Sequence, residues 1–369
     1  MSALEKSLFS LFEKEERDSE QRRSWEAFIE QGLPNPKEDA FRYFPLESLY
    51  EETLSDFETL NYDFSFPKPV VALPLSQAKK QYGSLFFSQR RESSFLKLSK
   101  ALSGEGLFLY IPPRVELDAP LDLSKTFLKN AFPHLTIFLG EGARVKLHRN
   151  TIVSGWTFSS TEIALEKGAE LLIEEHLHLE KQARFFGTMQ ARIHENARLQ
   201  NHSFRTGEGI AREEVNVELR GERADAMLKG AAQLADDAQH HVNVLAHHIA
   251  PKTTSHQHFK NILSGRSRAS FEGKIYVEKE ALLTDAYQLT NHLLLDPKAS
   301  AFSKPNLEIF ADDVKASHGA TVSEVDKRYL HYLQTRGIEK KLGKQMLLKG
   351  FLLTLFEDTA LQKVVAESL

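Results

Sequence analysis

Hydrophobic and polar positions change their period twice along the chain. Near the start, Leu4, Leu8, Leu11 and Phe12 recur at helical spacing and predict an amphipathic helix. A second helix is expected to end near Gly32, because Pro34 and Pro36 follow at once and cannot continue it. A third is expected through SQRRESSFLKLSKALSGEG, closed by Gly104. Residues 1–104 thus read as a helical N-terminal region.

At Gly106 the character changes. GLFLYIPPRVELDAPLDL reads as strand, proline break, strand, and short alternating strands with turns continue to about residue 312. Four segments align: GEGARVKL (140–147), EKGAELLI (166–173), HENARLQN (194–201) and GERADAML (221–228). Their alanines, Ala143, Ala169, Ala197 and Ala224, are separated by 26, 28 and 27 residues. Each unit is a turn followed by an alternating strand. No twelve-residue helical stretch intervenes, which argues against strand–helix–strand crossovers. A constant period of this size predicts stacked coils, each contacting only its neighbours. The expected fold is therefore mainly β: a parallel β-helix over 105–320, one repeat making one coil of two or three strands. A β-sandwich is the alternative that also gives short strands and turns. The open ends of a β-helix invite pairing, so either the flanking helices or a partner should cover them.

The last part, 321–369, returns to helical spacing. Ser323 is expected to cap a helix, with Asp326 three residues later in a capping-box-like position. Tyr329, Leu330, Leu333 and Gly337 complete that helix. Leu342, Met346, Leu347, Phe351, Leu352, Leu355 and Phe356 then form a long amphipathic stretch. It either packs on the chain's own core or docks a partner.

Composition narrows the function. The net charge is −4 and the pI near 6.4, which argues against nucleic acid or an acidic membrane surface as main partner. No apolar run approaches the ~18 residues of a membrane span. The start, MSALEKSLFSLFEKEERDSEQRR, lacks an apolar signal core, so a cytoplasmic location is expected. The cysteine count is zero, which excludes thiolate catalysis and cysteine ligands from this subunit. No G-x-x-x-x-G-K-[ST] occurs, and GEGARVK and TGEGIAR read as turns, so the chain is not expected to bind ATP.

Histidines are the remaining candidates. HHVNVLAHHIAPKTTSHQH holds His240, His241, His247, His248, His256 and His258. On a strand, His256 and His258 share a face while His247 and His248 oppose each other. Imidazole suits zinc or iron, but the spacing matches no standard zinc motif, and half-buried or surface histidines are the plainer account. A second candidate lies in EIFADDVKASHGATVSEVD (308–326). Glu308 and the pair Asp312-Asp313 precede a strand on which Val314, Ala316 and His318 share one face and Lys315 and Ser317 the other. His318 reads either as a core histidine or as one that meets another subunit. Adjacent Ser317 and His318 diverge and no nucleophile elbow of the G-x-S-x-G kind is present, so serine hydrolase chemistry is not expected.

Residues 304–338, KPNLEIFADDVKASHGATVSEVDKRYLHYLQTRGI, resemble the C-terminal signature of the SufB/SufD family, scaffold subunits of the SUF iron–sulfur cluster assembly machine. HIAPKTTSHQHFKNIL (248–263), FEGKIYVEKEALLTDAYQLTNHLLL (271–295) and GLPNPKEDAFRYFPLESL (32–49) are similar to further family stretches. The N-terminal segment and the missing cysteine bring the chain nearer the SufD branch than the SufB branch. The resemblance implies a right-handed parallel β-helix with helical ends. It implies a non-catalytic scaffold in a complex with SufB and the ATPase SufC, which would hold the ATP. For the isolated chain the sequence leaves monomer and homodimer both open. The nascent Fe–S cluster belongs to the complex, and no cofactor is expected to stay on the isolated chain.

Many family members carry cysteine where this chain has Ala316. The resemblance makes His318 the candidate cluster ligand at the SufB interface, with Asp312, Asp313, Ser317 and Gly319 as supporting motif. Tyr329, Leu333, Leu347, Phe351 and Leu355 become the candidate SufC dock. Two rival readings stand beside this one: a β-helix enzyme acting alone on polysaccharides, and a purely structural scaffold in which His318 is idle.

Overall fold

The computed structural model describes residues 2–14, 16–58, 60, 62, 64–86, 92–356 and 359–368. Its helices are α1 (Ala3–Lys14), α2 (Ser19–Gln31), α3 (Leu46–Tyr50), α4 (Leu75–Tyr82), α5 (Ser94–Leu102), α6 (Lys327–Thr335), α7 (Lys340–Leu353) and α8 (Leu361–Ser368). The strands begin with β1 (Val71–Pro74), β2 (Leu107–Ile111), β3 (Leu121–Asp122), β4 (Lys125–Phe127), β5 (His134–Leu139) and β6 (Arg144–Val153). They continue as β7 (Trp156–Leu165), β8 (Glu170–Leu179), β9 (Arg184–Ile193), β10 (Arg198–Gly207), β11 (Ile210–Leu219) and β12 (Asp225–Leu234). The series closes with β13 (Gln239–His248), β14 (Thr254–Leu263), β15 (Arg268–Val277), β16 (Asp285–Leu294), β17 (Ser300–Ile309) and β18 (Lys315–Glu324).

Successive strands alternate between two sheets. One runs β1-β2-β5-β7-β9-β11-β13-β15-β17 and the other β18-β16-β14-β12-β10-β8-β6-β3, with β4 also on β6. Apart from the antiparallel β1–β2 pair, the ladders between these strands are parallel. Two facing sheets are what a sandwich would give, but strands that change sheet at every turn make a parallel β-solenoid of about eight coils. Each regular coil carries two ten-residue strands.

The repeated turn explains the period. At this turn of successive coils one residue takes a positive φ, among them Gly142, Gly168, Asn196, Arg223, Lys252, Leu283 and Asp313. Its backbone N–H reaches out to the next coil, as from Gly142 to Lys167 O (2.9 Å), Gly168 to Glu195 O (2.8 Å) and Asn196 to Glu222 O (2.9 Å). The alanine that follows is fully buried in all four recognisable repeats. A larger side chain at that corner would crowd a packed interior at a cost of about 1–3 kcal/mol. Further on, Thr253 and Thr284 take the alanine's place and bond their hydroxyls to Ala250 O (3.2 Å) and Ala281 O (2.8 Å).

Strand residues alternate between the solenoid interior and the outer faces. The interior near the alanine corners is apolar, built from residues such as Leu109, Ile137, Leu147, Ile163, Leu171, Leu199 and Val217. The outer face of the first sheet carries Phe132, Trp156, Phe158 and Phe186, which α1, α2 and α5 cover with Leu8, Trp25, Phe28 and Phe95. Phe158 and Phe186 stack with centroids 4.8 Å apart. The segment before α3 continues along this face to the last coil, where Tyr43 stacks on Phe302 at 4.0 Å and Asp39 pairs with Lys304. The outer face of the second sheet carries Phe204, Ile262 and Leu293, covered by Leu348, Leu352, Leu355, Phe356 and Leu361 of the C-terminal region. Lys260 anchors α7 by donating to Phe351 O (2.8 Å) and Thr354 Oγ1 (2.7 Å).

Some local expectations need correction. The last strand runs to Glu324, so the edge placed at 320 falls inside β18. Ser323 lies in that strand, and Asp326 itself caps α6, accepting from Arg328 N at 2.8 Å. The helix expected from Ser88 starts at Ser94 with Ser93 as its cap, and residues 88–91 lie outside the described residues. That helix closes at Leu102 with Ser103 as its cap rather than at Gly104. The second helix ends as expected, at Gln31 with Gly32 at φ 73°.

Candidate functional site

The two ends of the solenoid differ. At the N-terminal end β1 lies antiparallel on β2, and Phe64, Phe66 and Val70 pack against the interior. At the C-terminal end β17 is last in one sheet and β18 last in the other. Each presents ten residues of backbone with no strand beyond it among the described residues.

Register fixes what β18 shows. Ala286, Gln288, Thr290 and His292 of β16 are buried and face the interior. Their partners on β18 are Ala316, His318, Ala320 and Val322. These four therefore point along the interior face, but no further coil covers them, and His318 is exposed. Lys315 N donates to Thr284 O at 2.8 Å. By the alternation of a parallel ladder, the odd-numbered residues of β18 bond inward to β16. The backbone N–H and C=O of Ala316, His318 and Ala320 then face the open edge. His318 is no core histidine: its ring and its peptide groups both lie at the mouth of the solenoid.

The supporting motif has structural duties. Asp312 and Asp313 form the last of the stacked turns, with Asp313 at φ 39° and its carbonyl accepting from Leu283 N at 2.9 Å. Aspartate tolerates that left-handed backbone better than most residues. Ser317 is exposed on the opposite face, paired with Tyr287. Gly319 lies against Leu289, whose Cδ1 would sit 3.1 Å from any Cβ there. Glu308 on β17 pairs with Lys274 at 2.7 Å.

Behind His318 the interior is polar. Gln257 and Gln288 are register partners in adjacent coils, both with no exposed surface. Neither amide has a hydrogen-bond partner at its nitrogen or its oxygen. Beside them His292 bonds Ser303 Oγ through Nε2 (3.0 Å) and Asn261 Nδ2 through Nδ1 (3.0 Å). Burial pushes the His292 imidazole down to about 4, so it is neutral at pH 7.

The six-histidine stretch is divided by the pleat. His240, His241 and His248 are buried, His247 and His258 half-buried, and His256 exposed. His256 and His258 do share the outer face, but His258 bonds Asn291 Oδ1 at 2.9 Å. His248 holds the following turn through Thr253 Oγ1 and Ser255 Oγ, both at 2.8 Å. Among the described residues no three His, Asp or Glu side chains are grouped to hold a metal ion. His318 offers one imidazole donor, so a cluster bound there needs its other ligands from outside this group of residues.

Sequence reasoning missed a buried ion cluster further inside. Arg205 bonds Glu175 Oε2 (2.6 Å) and Glu213 Oε2 (2.8 Å), and His240 Nε2 bonds Glu213 Oε2 (2.6 Å). The Arg205 guanidinium and the His240 hydrogen bond hold the Glu213 carboxyl far below the usual range despite its burial. These residues come from three different coils, and their spacing in the chain carries no signal of contact.

The candidate docking residues separate into two groups. Tyr329 is 63% exposed, and Tyr332, Leu342 and Met346 are exposed with it on α6 and α7. Leu333 and Leu347 are half-buried. Phe351 is half-buried under the Lys260 ammonium, 5.1 Å from its ring centroid. Leu355 is 1% exposed and belongs to the apolar cluster beneath α7 and α8, so it offers no surface.

Comparison with known proteins places the coils in a family. Residues 123–351 match the family model for the SufBD core domain of the SUF system for FeS cluster assembly. The chain is 27% identical to the iron-sulfur cluster assembly protein SufD of Escherichia coli (strain K12), over 94% of this chain and 90% of that protein. It is 27% identical to the chloroplastic protein ABCI7 of Arabidopsis thaliana, over 66% of this chain and 55% of that one. It is 31% identical to a SufBD family iron-sulfur cluster assembly protein of Synechocystis, over 58% of this chain and 42% of that one. On the match of its coils to the SufBD core, this chain belongs to the SufBD family of iron–sulfur cluster assembly proteins.

Proposed function

We propose that the chain is a non-catalytic scaffold subunit that builds iron–sulfur clusters only in company. Its open solenoid end pairs with a SufB subunit, and His318 contributes an imidazole to the cluster formed at that seam. SufB supplies the thiolates that this cysteine-free chain lacks. The cluster is cargo, assembled at the seam and handed on. The exposed residues of α6 and α7 receive the ATPase SufC, whose ATP-driven movement rearranges the seam. The complex works in the cytoplasm, and the isolated chain uses the same open end to form a homodimer.

The observation that supports this reading most is the asymmetry of the solenoid. One end is closed by the chain's own β1 and aromatic residues, while at the other no strand among the described residues pairs the outer edges of β17 and β18, with His318 at the rim. Long unpaired edges are otherwise an aggregation liability, which a permanent partner removes. Imidazole is a competent iron ligand where a thiolate is absent.

Co-expression with the neighbouring SUF subunits, followed by pull-down and iron and sulfide analysis, tests the assignment. The expected product is a stable complex that gains iron and sulfide. A chain that purifies alone from such cells, with no partner at its open end, contradicts it. Among the described residues no helix is long and apolar enough to cross a membrane.

A further inference from the structure

Two buried primary amides with no partner stand directly behind an exposed imidazole, in one row. Along the interior face of the second sheet, Gln257 pairs in register with Gln288, and Gln288 with His318. Leaving a buried polar group unbonded costs about 1–3 kcal/mol. Two glutamines without a partner at either amide atom are therefore an expensive way to fill an interior. A leucine or methionine would fill the same space without that cost.

The opposite wall is shaped for this amide. Gly273 of β15 faces Gln288, and a Cβ at that position would lie 2.0 Å from Gln288 Nε2 and 2.6 Å from its Cδ. The glutamine head thus reaches across to bare backbone, and any side chain at 273 would displace it. Neighbouring polar groups are engaged elsewhere: His292 is held by Ser303 and Asn261. On the same row the Gln288 amide has two register neighbours, Gln257 one coil in and His318 one coil out.

We infer that Gln288 is a positioning residue for His318. In the complex its amide, unbonded in the isolated chain, turns to bond one ring nitrogen, fixes one tautomer and leaves the other nitrogen for the seam. Gln257 stands behind Gln288 in the same row. A ligand imidazole is commonly held through its second nitrogen, and loss of such a partner costs about 10–100-fold in affinity or activity. The inference rests on the reading that His318 is a ligand.

The test uses the full chain in its complex, comparing Gln288→Met, His318→Ala and the double variant. Methionine keeps the shape and removes the amide. Gln288→Met should fold and assemble normally, since it removes an unbonded group, but cluster formation should drop about tenfold. The double variant should be no worse than His318→Ala alone. Nitrogen-15 spectra of the histidine rings should show a single His318 tautomer in the wild type and a mixture in Gln288→Met. Normal cluster formation in Gln288→Met alongside loss in His318→Ala overturns the inference and leaves the ligand role of His318 standing. Normal cluster formation in His318→Ala removes the ligand reading itself. A His318 ring that already exchanges freely between tautomers in the wild-type complex overturns the inference without any variant.

Discussion

Gln288 and His318 are direct register partners on the last two strands of one sheet, yet the amide has no exposed surface and the imidazole faces solvent. The difference arises because the solenoid stops there. Had one more coil followed, His318 would be an interior residue like Gln288. The open end turns a core position into a surface position without altering the strand.

That edge can be tested by its backbone. Ala320 directs its N–H away from β16, so Ala320→Pro removes no hydrogen bond within the chain, and proline is tolerated on edge strands. The melting temperature should be unchanged. Association with the partner should weaken about tenfold or more, as expected when a main-chain bond worth about 1.5 kcal/mol is lost across the edge. Analytical ultracentrifugation or interferometry would read the change. Undiminished association means the partner does not extend this strand.

The C-terminal region should separate into two functions. Leu352 is buried in the cluster over Phe204 and Ile262, so Leu352→Ala should cost about 2–5 kcal/mol of stability. Tyr332 is exposed on α6, so Tyr332→Asp should leave stability unchanged and abolish capture of the ATPase. Chemical unfolding and pull-down measure the two effects. Deleting everything after Gly337 would uncover Phe204, Ile262 and Leu293 as well, so point substitutions are the cleaner probe. Retained ATPase binding in Tyr332→Asp would remove α6 from the dock.

Acid should loosen the same region. Burial pushes His202 and His292 down to about 4 and His248 to about 3. Their unfolded forms take up protons below about 6.5 while the folded forms resist. The unfolded state then binds more protons, so stability is full above about pH 6.5 and falls as pH drops toward 4. His202 sits beneath Phe356, ring centroids 6.5 Å apart, with neither nitrogen bonded. His202→Leu should be at least as stable at pH 7 and should flatten the loss on acidification. Urea midpoints at pH 7, 6 and 5 decide this. An unchanged pH slope means that His202 does not titrate on unfolding.

Much of the fold was legible because one element repeats. The alanines at 143, 169, 197 and 224 mark the coil corner, where a left-handed residue and a small buried side chain are both required. The repeat fades after Ala224 because Thr253 and Thr284 fill the corner by bonding their own hydroxyls, a chemical substitute that looks unlike alanine in a sequence. The shared face of Ala316 and His318 was readable from strand alternation. Whether that face was interior or surface was not, since it depends on how many coils follow. The Arg205 cluster and the row of Gln257, Gln288 and His318 were invisible, because stacking joins residues about thirty positions apart that no local pattern links. The split of the C-terminal stretch was hidden for a similar reason. Leu355 and Met346 are equally apolar, yet Leu355 packs with Leu352 and Phe356 while Met346 stays exposed on α7.

The central claim is that His318 serves the seam. The most direct measurement is iron and sulfide content of the partner-bound complex carrying His318→Ala, reconstituted in parallel with the wild type. The complex should assemble in full, because the ring is exposed and carries no core packing, and cluster formation should fall severely. Normal iron and sulfide loading in that variant would contradict the account and leave the chain a structural support alone.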